Sequence, residues 1–216
     1  MGTVICITGP MAAGKNELSL ILEEFGWLHI DADMLAHFAI DNCKEDILKT
    51  FLPYAKKKNI NLLKKDGSIN RKELGRLLFS DSTLLKKQEE IIYPNIRMTM
   101  HSIIQDKQHP NIILNVTLLY RFPEILKMCD FIIYVKAGFF TRLFRAKKRD
   151  NLSYKQILLR FKAQKNLLKE YQKFNKEIIF VKNNNKIDKK RFIKAIKELN
   201  SFKFIKEFLT LTSSYL

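Results

Sequence analysis

Apolar residues alternate along the chain between short continuous runs and helical spacing. The run Thr3 to Thr8 is rich in β-branched residues and ends at Gly9-Pro10, which predicts a short buried strand. From Lys15 the apolar positions recur every three or four residues, which predicts a helix that ends at Gly26. Trp27 to Ile30 predicts a second strand. The order strand, loop, helix, strand predicts a βαβ unit and hence a parallel sheet.

The next part of the chain has a helical pattern and little strand signal. Between residues 34 and 109, apolar residues recur at three and four, as in Leu48-Phe51-Leu52 and Leu74-Leu77-Leu78. We therefore expect a mostly helical insertion here. Within it, the Lys- and Asn-rich segment from Ala55 to Asp66 is expected to be a mobile loop.

The strand pattern then resumes. Three further strands are predicted at Ile112 to Val116, Phe131 to Val135 and Ile178 to Val181, which gives an α/β fold with five strands. A basic amphipathic region runs from about Phe140 to Phe174, and Asp188 to about Leu209 predicts a closing helix. The phenylalanine pair Phe139-Phe140 and the Phe-rich segment Phe202 to Phe208 are expected in the core.

Composition narrows the class of protein. The chain has 216 residues, of which 46% are hydrophobic and 28% charged, as in an ordinary soluble globular protein. No run approaches the roughly 18 apolar residues that span a bilayer, so no membrane partner is expected. Its three cysteines, Cys6, Cys43 and Cys129, form no C-x-x-C pair, and a reducing cytoplasm is the simplest location.

The net charge of +17 raises the question of a polyanionic partner. The basic residues are spread along the chain rather than gathered in one stripe, and no nucleic-acid-binding module is recognisable, so no nucleic-acid partner is expected. Most of the excess is interpreted as a solvated exterior.

The strongest local signal is the sequence G-x-x-x-x-G-K between the first strand and the first helix. Backbone N–H groups of such a loop curl around a phosphate, the helix N-terminus adds the positive end of its dipole, and the lysine reaches the β- and γ-phosphates. Loop, strand and helix agree, which favours a phosphate loop over an incidental glycine turn. The predicted ATP-binding residues here are Gly9, Met11, Ala12, Ala13, Gly14, Lys15, Asn16 and Glu17.

One loop position departs from the motif. Asn16 stands where a Ser or Thr hydroxyl helps to hold Mg²⁺. An amide carbonyl can also ligate a hard cation, so Asn16 is a candidate ligand for Mg²⁺, directly or through water. The alternative is that Asn16 marks weakened or lost catalysis.

Beyond the loop, the sequence resembles the dephospho-coenzyme A kinase family over nearly the whole chain. Ile7-Thr8-Gly9, Gly14-Lys15, Gly26 and Ile30-Asp31-Ala32-Asp33 stand where the family has its strand, glycine loop, helix end and I-D-A-D. Further similar segments are Gly67 to Leu74 with Arg71, Phe79, Tyr93 to Arg97, Thr117 to Arg121, Arg142-Leu143, Arg145, Arg149-Asp150, Arg160, Gln164 and Asn183-Asn184. Tyr93 replaces a histidine, and Thr117 and Arg121 depart from P-L-L-F-E.

The resemblance implies a P-loop nucleotide-binding core of residues 1–34 and 110–216, with a lid at about 140–170 and a helical substrate-binding insertion at 35–109. It implies a five-stranded parallel sheet flanked by helices. The implied reaction is the ATP-dependent phosphorylation of the ribose 3′-hydroxyl of dephospho-coenzyme A, giving coenzyme A and ADP, with Mg²⁺ as cofactor.

The resemblance also implies residue roles. Asp33 stands at the family's general base, at the carboxyl end of a strand where open α/β sheets bind ligands, although a lone Asp there can instead cap a helix. Asp31 could cap that helix or contact Mg²⁺ through water. Arg145 and Arg149 are four apart on a predicted helix and could close over ATP as a lid. A solvated basic helix face would have the same sequence pattern.

Substrate contacts are expected from Arg71, Tyr93 and Arg97 besides Asp33. Asn115 supplies no carboxylate where many family members have an acidic residue, and Arg121 carries the opposite charge to the family's glutamate. Two alternatives therefore stay open: another P-loop kinase of nucleosides or nucleotides, and a nucleotide-binding homologue with weakened catalysis.

Overall fold

The computed structural model describes residues 2–106, 108, 111–150, 152–184, 196 and 198. Its strands are β1 (Thr3–Thr8), β2 (Leu28–Asp31), β3 (Asn111–Asn115), β4 (Phe131–Lys136) and β5 (Ile178–Lys182). They form one five-stranded sheet in the order β2-β3-β1-β4-β5. The five predicted strands are thereby confirmed, with ends that differ by about one residue.

The central strand explains the length of the apolar runs. β1 pairs in parallel with β3 on one side and β4 on the other, so that Ile5 lies opposite Ile113 and Phe131. β4 pairs in parallel with β5. Every residue of β1 is buried. A strand covered on both faces has no solvent side on which polar residues would alternate, and its sequence is therefore continuously apolar.

Helices join the strands: α1 (Lys15–Glu23), α2 (Ala32–Asn42), α3 (Lys44–Lys57), α4 (Arg71–Leu78), α5 (Ser82–Gln105), α6 (Pro123–Met128), α7 (Phe139–Asp150), α8 (Tyr154–Ala163) and α9 (Leu167–Gln172), with a short 3-10 helix at Leu119–Arg121. Within the described residues, no helix is long and apolar enough to cross a membrane.

An apolar core lies between α1 and the sheet. Leu18 and Leu22 of α1 pack with Ile5, Ile7 and Ile133, all of them buried. Burial of each such side chain stabilises the fold by about 1.5–3 kcal/mol. This core fixes the start of α1 against the end of β1, and it thereby fixes the loop that connects them.

The chain divides into two compact units, one with residues up to His29 and from Gln108 onward, the other from Ile30 to Lys107. In the second unit α2 to α5 enclose buried Ile47, Phe51, Leu74 and Met100. Arg71 at the start of α4 forms an ion pair with Asp41 of α2.

Some predictions made from the sequence differ from the structure, and others concern residues that the structure does not describe. The predicted loop from Ala55 starts too early, because α3 continues to Lys57 and Ala55 is fully buried. Phe139 and Phe140 are 45% and 71% exposed, not in the core. In α7, Ala146 is buried, whereas Phe140 is exposed. The predicted helix Asp188 to Leu209 and the cluster Phe202 to Phe208 fall almost wholly outside the described residues.

Candidate active site

The phosphate loop occupies the turn between β1 and α1. Ala12 and Gly14 have φ values of 60° and 94°, both in the left-handed region. The N–H of Ala13 donates to Pro10 O at 3.1 Å, which closes a tight turn inside the loop. Lys15 begins α1, and its Nζ donates to Gly9 O at 2.9 Å. The ammonium group thus lies over the loop, beside the positive end of the α1 dipole.

Two glycines are required by their surroundings. A Cβ on Gly9 would overlap the carbonyl oxygen of Val135 in β4. A Cβ on Gly14 would overlap the side-chain amide of Asn183, and its positive φ adds strain to any L side chain. The motif glycines therefore allow the loop to approach β4 and the residue that follows β5.

Asn183 connects three parts of the loop's surroundings. This buried side chain donates through Nδ2 to Glu17 Oε2 of α1 at 3.0 Å. Arg145 of α7 donates through Nη1 to Asn183 O at 2.8 Å and through Nη2 to Asn183 Oδ1 at 3.4 Å. The guanidinium of Arg145 is therefore held beside Gly14 by fixed partners.

A cavity of about 480 Å³ opens next to this network. It is lined by Ala12 and Gly14 of the loop, by Glu17 of α1, and by the cationic side chains of Arg145, Lys148 and Arg149 of α7. Arg149 is exposed and bonds Asp150 through Nε and Nη2 at 2.7 and 3.0 Å. The hydrogen bond from Arg149 lowers the pKa of Asp150. A concave, positively charged space at a phosphate loop suits a nucleoside triphosphate.

Helices α7 and α8 also hold the outer part of the loop. Met11 and Ala12 are buried with Ala146 of α7 and Ile157 of α8 in a small apolar cluster, which we call the lid core. Leu143, Leu152 and Phe161 pack against its edge. The left-handed conformation of Ala12, which costs a non-glycine residue free energy, is thus supported by packing from the lid side.

Asn16 and Asn115 form a neutral pair at the end of β3. Asn115 Nδ2 donates to Asn16 Oδ1 at 3.0 Å and lies 3.4 Å from His29 Nε2. His29 Nδ1 lies 3.3 Å from Glu23 Oε2. If Asn115 donates to Nε2, the proton of a neutral His29 is on Nδ1 and points at Glu23. At this strand end the structure thus has an amide, whose Nδ2 contacts both Asn16 and His29.

The fit of a magnesium ion depends on this pair. Asn16 Oδ1 is a hard neutral oxygen with one lone pair used by Asn115, so it can provide one ligand. Among the described residues, no group of three or more His, Cys, Asp or Glu side chains could hold a metal. In nucleotide sites Mg²⁺ usually keeps several water ligands and binds substrate phosphates. A single protein oxygen ligand is compatible with that coordination.

In the second unit, the structure shows which of Asp31 and Asp33 caps α2, a question that the sequence left open. Asp31 is the N-cap of α2, and its Oδ1 accepts from the N–H of Asp33 at 2.7 Å. The helix cap is therefore Asp31. Asp33 is exposed in the first turn of α2, where its carboxylate does not serve as the cap.

The other predicted substrate contacts also lie in the second unit. Tyr93 and Arg97 are four apart on α5, hence on one face, with Tyr93 half-buried and Arg97 exposed. Arg71 is engaged with Asp41 at the surface of its own unit. A substrate anion at Arg71 would compete with that carboxylate.

A phosphate loop after the central strand of a parallel sheet, with cations from a later helix at its side, defines the class of P-loop kinases. The family model described as dephospho-CoA kinase matches residues 3–189. A dephospho-CoA kinase from Treponema denticola is 39% identical over 83% of this chain and 82% of its own length. The chain belongs to the dephospho-CoA kinase family.

Solved structures agree with this assignment. The dephospho-CoA kinase from Campylobacter jejuni has a TM-score of 0.70 at 26% identity, covering 94% of this chain and 100% of its own. A shikimate kinase from Bacteroides thetaiotaomicron has a TM-score of 0.53 at 12% identity, covering 93% of this chain and 99% of its own. At this identity the likeness shows the shared fold alone.

Sequence reasoning singled out the phosphate loop, Arg145 and Arg149 but assigned no role to Asn183 or Gln164. Both stand in segments similar to the family's N-N and R-x-x-x-Q, which was the available signal. Their partners lie far away in sequence, Glu17 for Asn183 and Met11 for Gln164. Such contacts depend on the fold and have no local pattern.

Proposed function

We propose that this chain transfers the γ-phosphate of ATP to the ribose 3′-hydroxyl of dephospho-coenzyme A, giving coenzyme A and ADP. This is a phosphotransferase reaction with an alcohol as acceptor, and it is the last step of coenzyme A biosynthesis. The observation that carries the proposal is the phosphate loop with Lys15 over it, in a chain whose family match extends from residue 3 to 189.

The loop and Lys15 are assigned to the triphosphate. Phosphoryl transfer spreads negative charge over the transferred oxygens, and catalysis consists mainly of positioning and charge compensation. The loop N–H groups and the α1 dipole address the β-phosphate. The Lys15 ammonium, now on Gly9 O, reaches the β- and γ-oxygens with little movement of its backbone.

Arg145 is assigned to ATP and the transition state, and Arg149 to ATP. Arg145 has the stronger structural support because Asn183 holds its guanidinium at two points. A pre-positioned guanidinium loses little conformational freedom when it binds an anion. Arg149 must exchange its bonds to Asp150 for bonds to phosphate.

Asp33 is assigned as the group that orients the acceptor hydroxyl and accepts its proton. The support is its exposed carboxylate next to a cap that Asp31 provides. A carboxylate that caps no helix is available for a substrate. Arg71, Tyr93 and Arg97 are assigned to the acceptor, a polyanion that cationic side chains would attract.

Magnesium would be held by Asn16 Oδ1, by water and by the ATP phosphates, and would neutralise charge on the β- and γ-oxygens. We further infer a cytoplasmic location. Cys6, Cys43 and Cys129 are free thiols, as expected in a reducing compartment.

One assay tests the proposal. Purified protein, ATP and Mg²⁺ are combined with dephospho-coenzyme A or with a panel of nucleosides and nucleotides, and ADP and phosphorylated product are measured. Turnover specific to dephospho-coenzyme A is expected. A sample that binds ATP but does not turn over dephospho-coenzyme A would overturn the proposal. Preference for another acceptor would instead favour a different kinase of the same class.

A further inference from the structure

The phosphate loop is bonded to the lid through a side chain that has no assigned role. Gln164 Oε1 accepts a hydrogen bond from the backbone N–H of Met11, with 2.6 Å between the nitrogen and oxygen. The two residues are 153 positions apart. This is a short N–H···O distance, and it joins the residue that follows α8 to the third residue of the loop motif.

The backbone of Gln164 is itself fixed. Its N–H donates to Phe161 O at 3.2 Å, and its carbonyl accepts from Leu167 N at 3.1 Å. Gln164 thus lies in the tight connection between α8 and α9. A side chain that starts from a fixed backbone positions its amide oxygen accurately.

The Met11 amide has few alternative partners. Met11 is 8% exposed and belongs to the lid core with Ala12 and Ala146. A buried backbone N–H without an acceptor costs free energy, and a residue this buried has little access to water. Gln164 Oε1 therefore determines where the N–H of Met11 is stable, and with it the course of the loop toward Ala12.

We propose that Gln164 is a positioning residue for nucleotide binding, which holds the tip of the phosphate loop in its phosphate-binding form through the Met11 amide. The lid core holds Met11 by non-directional apolar packing, and the hydrogen bond to Gln164 orients its backbone N–H. The proposal rests on the proposed function only in taking ATP as the nucleotide. Gln164 itself is not required to touch ATP.

The test compares Gln164→Met with the matched control Gln172→Met in the full chain. Methionine preserves the length of the side chain and its apolar contacts but cannot accept a strong hydrogen bond. Gln172 is exposed at the end of α9, outside the loop and the lid core. The readouts are the Kd of ATP by calorimetry and the hydrogen exchange of the Met11 amide by NMR, neither of which depends on the acceptor substrate.

Gln164→Met is expected to weaken ATP binding by about tenfold and to speed exchange at Met11 by at least about tenfold, as for the loss of one buried hydrogen bond. Its melting temperature should stay within about 3 °C of the parent, and Gln172→Met should change neither readout. In turnover, the KM for ATP should rise more than kcat falls.

Gln164→Glu provides the second variant, because its carboxylate retains an acceptor for Met11. It should keep slow exchange at Met11, while its negative charge weakens ATP binding in a way that salt reduces. Unchanged or tighter ATP binding in Gln164→Met would overturn the proposal. Exchange at Met11 that is equally fast in Gln164→Glu and Gln164→Met would overturn it as well.

Discussion

Asn115 donates a hydrogen bond from Nδ2 to Oδ1 of Asn16, across 3.0 Å, and so joins the end of β3 to the first turn of α1. Asn16 stands where the phosphate-loop motif has Ser or Thr, and at Asn115 the resemblance found in the sequence implied an acidic residue. The two side chains are coupled in the structure because the amide N–H of Asn115 donates to the amide oxygen of Asn16. The change at Asn16 is therefore compatible with an intact loop and does not by itself indicate lost function.

A double-mutant cycle measures this coupling. Asn16→Ala and Asn115→Ala should each lower the free energy of unfolding, and the double variant should lose about 1 kcal/mol less than the sum, the net value of one such hydrogen bond. Urea unfolding of the four proteins gives the numbers. Strict additivity would contradict the hydrogen bond.

How far the fold can be predicted from sequence depends on how local its causes are. β1 was predicted from Thr3 to Thr8 and has those ends, because a strand buried on both faces needs a continuous apolar run. Phe139 and Phe140 were misassigned to the core because spacing alone does not say which side of α7 meets the lid core. That choice depends on Met11 and Ala12, far away in the chain.

The same distinction applies to the site. Lys15 and the glycines were predictable since the loop is one contiguous segment with its own backbone requirements. The assignment of the cap to Asp31 rather than Asp33 was not, because both carboxylates stand at a strand end and only the bond to Asp33 N–H separates them. The Gln164–Met11 and Asn183–Glu17 bonds connect distant segments, and no periodicity predicts them.

Lys15→Ala should lower kcat/KM by at least about 10²-fold, since it removes the cation that compensates charge on the transferred phosphoryl group. Lys86→Ala, an exposed lysine on α5, is the matched control and should have little effect. Steady-state ADP formation measures both. If the two variants were equally active, Lys15 would have no catalytic role.

Asp33→Asn tests the proposed base. It keeps the size of the side chain and the N–H that bonds Asp31, but it cannot accept the hydroxyl proton. The expected loss in kcat/KM is at least about 10²-fold with an unchanged melting temperature. Full activity of Asp33→Asn, measured with saturating ATP and varied dephospho-coenzyme A, would show that the base assignment is wrong.

Asp31→Ala tests the helix cap separately. Loss of the acceptor for Asp33 N–H should lower the free energy of unfolding by about 1 kcal/mol, and Asp31→Ser should restore most of it. Urea titration monitored by circular dichroism is the measurement. A variant as stable as the parent would contradict the cap, whereas an activity loss that Asp31→Ser does not restore would indicate a further role in catalysis.

Buried thiols predict a loss of stability at alkaline pH. Burial raises the pKa of Cys129 to about 12 and that of Cys6 well above its usual range, since neither thiolate can be solvated in the core. An unfolded thiol has a pKa of about 8.5. Above that pH the thiols of the unfolded chain lose protons that the thiols of the folded chain retain. The contribution of these thiols to the free energy of unfolding is therefore complete below about pH 8.5 and is lost as the pH rises toward 12.

At pH 10 the contribution of Cys129 to this loss should be about 2 kcal/mol, which urea unfolding at pH 8 and pH 10 can resolve. The matched variant is Cys129→Ala, whose own decrease over the same interval should be smaller by about that amount. In the folded parent at pH 8, a thiol reagent should modify Cys43, which is only partly buried, before Cys6 or Cys129. Equal alkaline losses in the two proteins, or rapid modification of Cys129, would show that its thiolate is accessible to solvent.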